Sequence, residues 1–246
     1  MRLLPRTRCC ASGVVALGFG WVLAGCELPS FGAPDSASDE GDRILSLWQG
    51  MFVAALAVGA LVWGLLIFVL LRYRRSKHHR DDELPSRNAY NIPFEVVYTT
   101  IPILIVAVLF GFSVFTENKV NAVDHDSEAV KVDVVGFQWS WEFRYPDDHV
   151  TIIGEPGKPP ELVLPVDRPA HLRLVSNDVN HSFWVPDFLS KRDLIPGVDN
   201  EIQITPTKTG SYVGRCAEFC GLDHWRMNYT VRVVSADDYT AWLAAR

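Results

Sequence analysis

The chain has 246 residues, of which 48% are hydrophobic and 21% are charged, and its formal net charge is −6. This acidic balance argues against a general nucleic-acid-binding protein and leaves room for a basic protein partner. The hydrophobic residues are unevenly distributed: the first half carries two long uncharged runs, whereas the second half has the mixed composition of a soluble domain. Of the five cysteines, only Cys216 and Cys220 lie beyond residue 26, so a framework of several disulfides is excluded.

The N-terminal segment has the features of an export signal. Three arginines within the first eight residues precede an apolar segment, 11–24, that is too short to span a bilayer. Small residues then precede Cys26, an arrangement that resembles the lipobox of bacterial lipoproteins, in which the cysteine is lipidated; a plain signal peptide with an incidental cysteine is the alternative. We predict a lipoprotein-type signal peptide over 1–25, lipidation of Cys26, and a flexible tether over 26–46, which is rich in Pro, Ser, Gly and Asp.

Two uncharged apolar runs are each long enough to cross the hydrocarbon core of a membrane as a helix. They predict a transmembrane hairpin over 47–116, with helices at about 47–71 and 93–115. A basic cluster directly follows the first run and should stay in the cytoplasm, so the loop 72–92 is predicted to be cytoplasmic. Pro102 lies inside the second run, where neighbouring groups can satisfy the freed carbonyl. The C-terminal domain is then external.

The C-terminal half changes from helical runs to alternation of apolar and polar residues. Short alternating segments are separated by clusters of glycine and proline, and they lie near 130–134, 137–141, 172–174, 202–204 and 229–233. Short strands with such turn signals are typical of a β-sandwich or barrel. We predict an external all-β domain over 117–246, ending in a short helix that a capping pattern at Ser235 opens.

Potential metal ligands are concentrated within residues 216–227. This segment holds two thiols, Cys216 and Cys220, an imidazole, His224, and a thioether, Met227. Thiolate, imidazole and thioether are the soft and borderline ligands that select copper. A further histidine, His181, precedes an upstream strand-like segment. An ordinary blue-copper site uses one cysteine, two histidines and a weak axial methionine, whereas a second thiolate could bridge two copper ions.

Two plainer interpretations of these residues are available. A C-x-x-x-C pair in an exported domain could form a disulfide, and two cysteines with two histidines could hold a structural zinc ion. Neither interpretation uses Met227, and a disulfide uses neither histidine, so copper is favoured. His125, His149 and His171 have no comparable neighbours in the sequence and are assigned no function.

The whole mature chain resembles subunit 2 of the heme-copper cytochrome c oxidases, in which a two-helix transmembrane hairpin carries an external cupredoxin domain. The motifs D-V-N-H-S-F-W-V-P, I-P-G and C-A-E-F-C-G-x-x-H-x-x-M occur in the order of that family. The resemblance implies the subunit through which electrons enter a proton-pumping oxidase. They would pass from cytochrome c through a dinuclear copper A centre to heme a in subunit 1, where oxygen is reduced to water. Heme would belong only to the partner subunit, and this chain would relay electrons without holding the oxygen-reducing site.

The resemblance also implies the metal ligands of this chain. The two histidines would each bind one copper, and the two cysteines would bridge both. The methionine would be the weak ligand of one copper and the backbone carbonyl of a glutamate that of the other, while the carboxylate of this glutamate would face a magnesium ion at the boundary with subunit 1. These residues are His181, Cys216, Glu218, Cys220, His224 and Met227.

Two further positions carry roles implied by the family. Trp139 corresponds to the tryptophan that receives electrons from cytochrome c; a buried core aromatic is the alternative. Near it, Ser140 stands where a tyrosine is frequent and Arg144 where an acidic residue is usual. Glu95, just before the second apolar run, corresponds to a glutamate at the entrance of a proton path into subunit 1; an interfacial carboxylate in water is the alternative.

The implied partners are subunit 1 and other oxidase subunits, a cytochrome c that is soluble or membrane-bound, and the membrane, with no nucleic acid. No C-x-x-C-H motif is present, so the donor heme is not fused to this chain. The implied location is the bacterial cell membrane, crossed more than once, with the copper domain on the outer face.

Three other functions fit the sequence less well. A quinol oxidase subunit 2 has lost the copper ligands, all of which are present here. A nitrous-oxide reductase carries its copper A domain within a long soluble chain that has an additional catalytic domain. A membrane-tethered copper carrier would leave the aromatic segment around Trp139 and the position of Glu95 unexplained.

Overall fold

A computed structural model describes residues 30–74, 90–125, 128–155 and 157–246. The predicted signal peptide, Cys26 and most of the predicted cytoplasmic loop lie outside these residues. The described chain forms two compact units, one made of the part up to Leu45 together with Asp124–Arg246, and the other of Ser46–Val123.

The helical unit contains two long apolar helices, as predicted. Helix α1 spans Asp39–Arg72 and helix α2 spans Ile92–Val120. Both are long and apolar enough to cross a membrane, with mean hydropathies of 2.7 and 2.2, and none of the residues in these apolar windows is buried within the chain. A helix that is apolar on all faces, and whose apolar residues are not buried within the chain, suits a lipid environment.

The first helix begins earlier than the sequence analysis predicted, because polar residues near its start make specific hydrogen bonds. The Ser38 hydroxyl accepts a hydrogen bond from the Gly41 amide at 3.0 Å, which caps the first turn. The Glu40 carboxylate accepts two bonds from Thr205, from the amide at 2.8 Å and from the hydroxyl at 3.0 Å. The Ala37 amide donates to the carbonyl of Asp187 at 2.8 Å. The flexible tether predicted over 26–46 is therefore replaced by helix from Asp39 onward, and the residues just before it pack on the β domain.

The other unit is the predicted β-sandwich. Its ten strands are β1 Val130–Phe137, β2 Ser140–Tyr145, β3 Val150–Ile153, β4 Glu161–Pro165, β5 Ala170–Ser176, β6 His181–Val185, β7 Ser190–Leu194, β8 Asn200–Ile204, β9 Gly210–Cys216 and β10 Asn228–Val234. They form two five-stranded sheets with the orders β3-β2-β1-β5-β8 and β4-β10-β9-β6-β7. The pairs β1–β5 and β4–β10 are parallel and the other pairs are antiparallel. A short helix, α3, follows at Ala236–Ala244, and the Ser235 side chain caps it as predicted.

The core lies between the two sheets and follows from the alternation in the sequence. In β10, for example, Tyr229, Val231 and Val233 are buried while the residues between them are partly exposed. At one end of the core the Tyr229 ring stacks on Phe183 with ring centroids 5.0 Å apart, and Trp141 meets both rings. This aromatic cluster supports the segment that follows β9.

Candidate metal centre

The candidate centre lies where the ends of two neighbouring strands come together. Strands β6 and β9 pair with Phe183 opposite Cys216, so the start of β6 lies beside the end of β9. This pairing places the Nδ1 atom of His181 3.8 Å from the Sγ atom of Cys216. Residues that are 35 positions apart in the sequence are therefore adjacent in the fold.

The loop between β9 and β10 brings the other donor groups to the same place. The Cys220 sulfur lies 3.8 Å from the Cys216 sulfur, 3.5 Å from His224 Nδ1 and 3.7 Å from Met227 Sδ. The backbone carbonyl of Glu218 lies 3.2 Å from the Cys216 sulfur. The structure therefore brings together all six residues that the sequence analysis named as ligands.

The donor atoms form a continuous series with the two sulfurs in the middle and an imidazole at each end. Four of these residues are buried, with relative exposures of 0% for His181, 7% for Cys216, 3% for Cys220 and 1% for Met227, whereas His224 is partly exposed. Both thiols are free, and the 3.8 Å between their sulfurs far exceeds the S–S bond length of about 2.05 Å.

The two thiols differ in their tendency to ionise. Burial opposes ionisation of Cys216, but its hydrogen bond with His181 and its bonds with the backbone outweigh burial and lower its pKa. Burial and the neighbouring Cys216 together raise the pKa of Cys220 to about 12. Because metal ligands must be deprotonated, binding of a metal ion here releases protons.

Asp178 orients the His181 ring. Its carboxylate lies 2.8 Å from His181 Nε2, and it also accepts hydrogen bonds from the amides of Gln138 and Val179, each at 2.7 Å. The ring therefore presents Nδ1 to the cysteines, as in metal sites where a carboxylate fixes the imidazole. Sequence analysis quoted Asp178 within a motif but gave it no role; the signal was its position three residues before a proposed ligand.

This donor set suits copper better than a hard cation. Two thiolates, two imidazoles and a thioether are soft or borderline ligands, whereas magnesium and calcium take oxygen ligands. Their convergence on one small, mostly buried volume argues against roles in packing alone, because each donor atom lies within 3.8 Å of another donor atom.

Comparison with known proteins identifies the family. Models of "cytochrome C oxidase subunit II, periplasmic domain" and of the transmembrane domain of the same subunit match residues 159–234 and 27–115. A protein described as probable cytochrome c oxidase subunit 2 from Streptomyces avermitilis is 40% identical over 268 residues, which covers 91% of this chain and 83% of that protein. The chain belongs to the cytochrome c oxidase subunit II family.

Other members of the cytochrome c oxidase subunit II family align over most of the chain as well. The cytochrome c oxidase subunit 2 of Mycobacterium bovis is 34% identical over 289 residues, covering 94% of this chain and 76% of that protein. Among solved structures, the periplasmic domain of subunit II (CoxB) of Bradyrhizobium japonicum is 32% identical and covers 49% of this chain and 94% of that chain, with a TM-score of 0.44. The resemblance drawn from the sequence is confirmed: the chain is a membrane protein with an extracellular domain and belongs to a heme-copper terminal oxidase, a respiratory oxidoreductase complex.

Trp139 lies in the turn between β1 and β2 and contacts residues 216–227 between β9 and β10, the ligand loop. Its indole Nε1 donates a hydrogen bond to the Cys220 carbonyl at 3.1 Å, and Gln138 Nε2 donates to the same oxygen at 2.7 Å. The indole also lies against Gly221, where an added Cβ would be 3.2 Å from the Trp139 ring. Trp139 is half-buried and packs against the hydrophobic core.

Glu95 and Glu218 occupy defined positions of their own. Glu95 lies in the first turn of α2, where its carboxylate accepts a hydrogen bond from the Asn91 amide at 3.2 Å and so helps to cap the helix. The Glu218 carboxylate accepts a hydrogen bond from Lys191 Nζ at 2.8 Å. The backbone carbonyl of Glu218 therefore faces the candidate centre, while its carboxylate is part of an ion pair at the surface.

Proposed function

We propose that this chain is the subunit through which electrons enter a proton-pumping cytochrome c oxidase. It would accept electrons from cytochrome c and pass them through a dinuclear copper A centre to heme a of subunit 1, where oxygen is reduced to water. The observation that carries the proposal is the series of donor atoms in which two cysteine sulfurs 3.8 Å apart stand between two imidazoles.

Each donor group would have a distinct role. The histidines would each hold one copper, the cysteines would bridge both, and the methionine and the glutamate carbonyl would be the weak ligands: His181, His224, Cys216, Cys220, Met227 and Glu218. When bound, two copper ions bridged by sulfur would supply a one-electron store whose shared charge changes bond lengths little on reduction.

The surrounding chain is suited to keep these ligands in place. The Cys216 amide donates to the Met227 carbonyl at 3.1 Å, and the Ala217 amide donates to the Ser182 carbonyl at 3.1 Å, so the loop is tied to the strands on both sides. Trp141 Nε1 donates to the Met227 carbonyl at 3.2 Å from the opposite sheet. Ligands held by backbone hydrogen bonds and by a buried core form a preorganised site, and a site that moves little favours electron relay.

Trp139 is the proposed point at which electrons from cytochrome c enter. The Trp139 residue is partly exposed. Its indole donates a hydrogen bond to the backbone carbonyl of Cys220, which is itself a proposed copper ligand. An electron on this ring would therefore be separated from the centre by one hydrogen bond and the atoms of Cys220.

The remaining assignments concern partners and position in the cell. We propose Glu95 as the entrance of a proton path into subunit 1. We also propose that the Glu218 carboxylate binds a magnesium ion at the boundary with subunit 1, where the ion would replace Lys191 as its partner. The other oxidase subunits and a soluble or membrane-bound cytochrome c are the proposed partners. The proposed location is the bacterial cell membrane with the copper domain on the outer face, and Cys26 is the proposed lipidation site.

The test is to load the full-length chain with copper in detergent under reducing conditions, oxidise it, and measure copper per chain together with the EPR spectrum. Two coppers per chain and a seven-line hyperfine pattern are expected, because one unpaired electron is shared by two copper nuclei. The variant Cys220→Ser removes one bridge and should lose the seven-line pattern. One copper with a four-line pattern in the unmodified chain would contradict the proposal and favour a copper carrier.

A further inference from the structure

The structure assigns a second metal site to this chain: we propose that His125, His171 and Glu201 bind a divalent transition-metal ion of the zinc type on the outer face of the sandwich. Sequence analysis gave His125 and His171 no function because they have no metal-ligating neighbours in the sequence. In the fold, one ligand atom from each of the three residues lies within 4.8 Å of the others.

Strand pairing creates this cluster. Strands β5 and β8 are antiparallel, with His171 opposite Gln203 and Arg173 opposite Glu201, so these four side chains share one face of the sheet. The residues between them, such as Leu172 and Ile202, are buried in the core, and the shared face is therefore the one toward solvent. Strand β8 is one of the two edge strands of its sheet, so it pairs with β5 alone among the described strands.

The third ligand comes from the segment that precedes β1. The Asp124 amide donates a hydrogen bond to the Gln203 side-chain carbonyl at 2.8 Å, which fixes the backbone directly before His125. This bond holds the His125 ring beside that of His171, with centroids 5.0 Å apart and planes at 74°. The position of His125 is thus set by a contact with β8 and not only by chain connectivity.

Both imidazoles face the same carboxylate. His171 Nε2 lies 2.9 Å from Glu201 Oε2, and His125 Nε2 lies 3.9 Å from Glu201 Oε1. A single ion with bonds of about 2.0–2.2 Å to nitrogen and oxygen would bring such atoms to about 3.4 Å from one another. The observed nitrogen–oxygen distances of 2.9 and 3.9 Å lie on either side of that value.

The neighbouring charges do not compete for this site. Lys131 lies beside His171 in the sheet, but its amino group pairs with Asp147 at 3.4 Å. Arg173 is opposite Glu201, but its guanidinium pairs with Asp199 at 2.9 Å and with Asp133 at 3.6 Å. The Glu201 carboxylate is thus directed to the two imidazoles and would neutralise part of the charge of a bound cation.

The chemistry of the set defines the ligand. Two imidazoles and one carboxylate are the protein ligands of many zinc sites that keep an open coordination position. Because side-chain exposures are 67% for His125, 17% for His171 and 44% for Glu201, water or a group from another molecule could fill that position. The ion would fasten the start of the domain at residues 124–125 to the edge strand, and this role is independent of copper.

The experiment measures Zn²⁺ bound by the full-length, copper-loaded chain in detergent, using equilibrium dialysis and elemental analysis. The unmodified chain is compared with His171→Gln, Glu201→Gln and the control His149→Asn. His149 is an exposed histidine away from the cluster, and asparagine tolerates its positive φ of 55°. Zinc held elsewhere on the chain is common to all four proteins, so it cancels in the comparison.

We expect the two cluster variants to bind one Zn²⁺ fewer per chain, because each lacks one of the three protein ligands. The control should match the unmodified chain. An ion that binds only the folded state stabilises that state. Zn²⁺ should therefore raise the Tm of the unmodified chain and of the control, but not that of the cluster variants. Equal zinc uptake by all four proteins, or an equal loss in the control, would overturn the proposal. The copper EPR spectrum is recorded on every variant, so a failure of this site is distinguishable from a failure of the copper centre.

Discussion

Asp178 provides a sharp test of how the proposed copper centre is held, because it acts on a ligand without being one. Asp178→Ala removes the carboxylate that lies 2.8 Å from His181 Nε2 and that also accepts from two backbone amides. The Asp178 side chain is 31% exposed, so water can replace it at the amides. The His181 ring is fully buried, so its Nε2 atom loses its partner and the ring loses its fixed orientation.

The expected magnitude follows from this geometry. Removing a residue that orients a metal-binding histidine costs about 10- to 100-fold in metal affinity, which corresponds to about 1.4–2.8 kcal/mol. A hydrogen bond to a charged group contributes about 1.5–3 kcal/mol, so the two figures agree. We therefore expect Asp178→Ala to bind copper about 10- to 100-fold more weakly than the unmodified chain.

The assay is a competition titration of copper between the chain and a chelator, followed by EPR of the loaded protein. Asp193→Ala is the matched control, because Asp193 accepts a hydrogen bond from Ser182 at 2.7 Å, directly beside His181, but does not contact the ring. The control should retain the affinity of the unmodified chain. If Asp178→Ala also retained that affinity and the same EPR spectrum, the argument that Asp178 orients the histidine would be refuted.

Three further substitutions test other parts of the chain. Trp139→Phe removes the indole donor to the ligand loop and should slow electron transfer from reduced cytochrome c about tenfold or more in stopped-flow measurements, with copper content unchanged. Glu95→Gln keeps an acceptor for the helix cap but cannot ionise, so proton-coupled turnover of the assembled oxidase should fall while the copper spectra stay the same. Gly214→Ala would place a Cβ in steric overlap with the Tyr229 ring, and the overpacking should lower the free energy of unfolding by about 1–3 kcal/mol or more in denaturant titrations.

Matched controls and contrary outcomes accompany these substitutions. Trp184→Phe changes a tryptophan of β6 whose side chain is 36% exposed, and it should leave electron transfer unchanged. An equal slowing in both tryptophan variants would argue against a special role for Trp139. Val213→Ala, at a 49%-exposed position next to Gly214, should change the free energy of unfolding little. A free energy of unfolding that is unchanged in Gly214→Ala would contradict the packing argument. Normal turnover in Glu95→Gln would argue against the proton path.

The sequence predicted those features that depend on local pattern. Alternation located β10, and its buried residues are the ones that the pattern placed inside: Tyr229, Val231 and Val233. The ligand loop was found because four of its ligand side chains lie within residues 216–227, so their proximity in space needs no long-range contact. The capped helix after Ser235 was predicted for the same reason, since a cap involves residues three positions apart.

Features that depend on distant contacts could not be predicted. The composition of residues 26–46 indicated a flexible tether, but Glu40 bonds Thr205, which is 165 positions away, and that contact is invisible to a local pattern. The cluster of His125, His171 and Glu201 likewise exists only because β5 and β8 pair. In both cases polar residues that look solvated in the sequence acquire a partner from the topology.

The hydrogen bond from Trp141 to the Met227 carbonyl affects how unfolding of the sandwich can be observed. Met227 is the last residue of the ligand loop and directly precedes β10 of one sheet, while the indole that donates to its carbonyl, that of Trp141, belongs to the other sheet. The two layers of the sandwich therefore cannot separate at this end without disturbing a proposed copper ligand. The visible absorption of a copper-loaded chain should then bleach at the same denaturant concentration at which its far-ultraviolet circular dichroism is lost. The colour of the protein would be an internal reporter of whether the whole sandwich is intact.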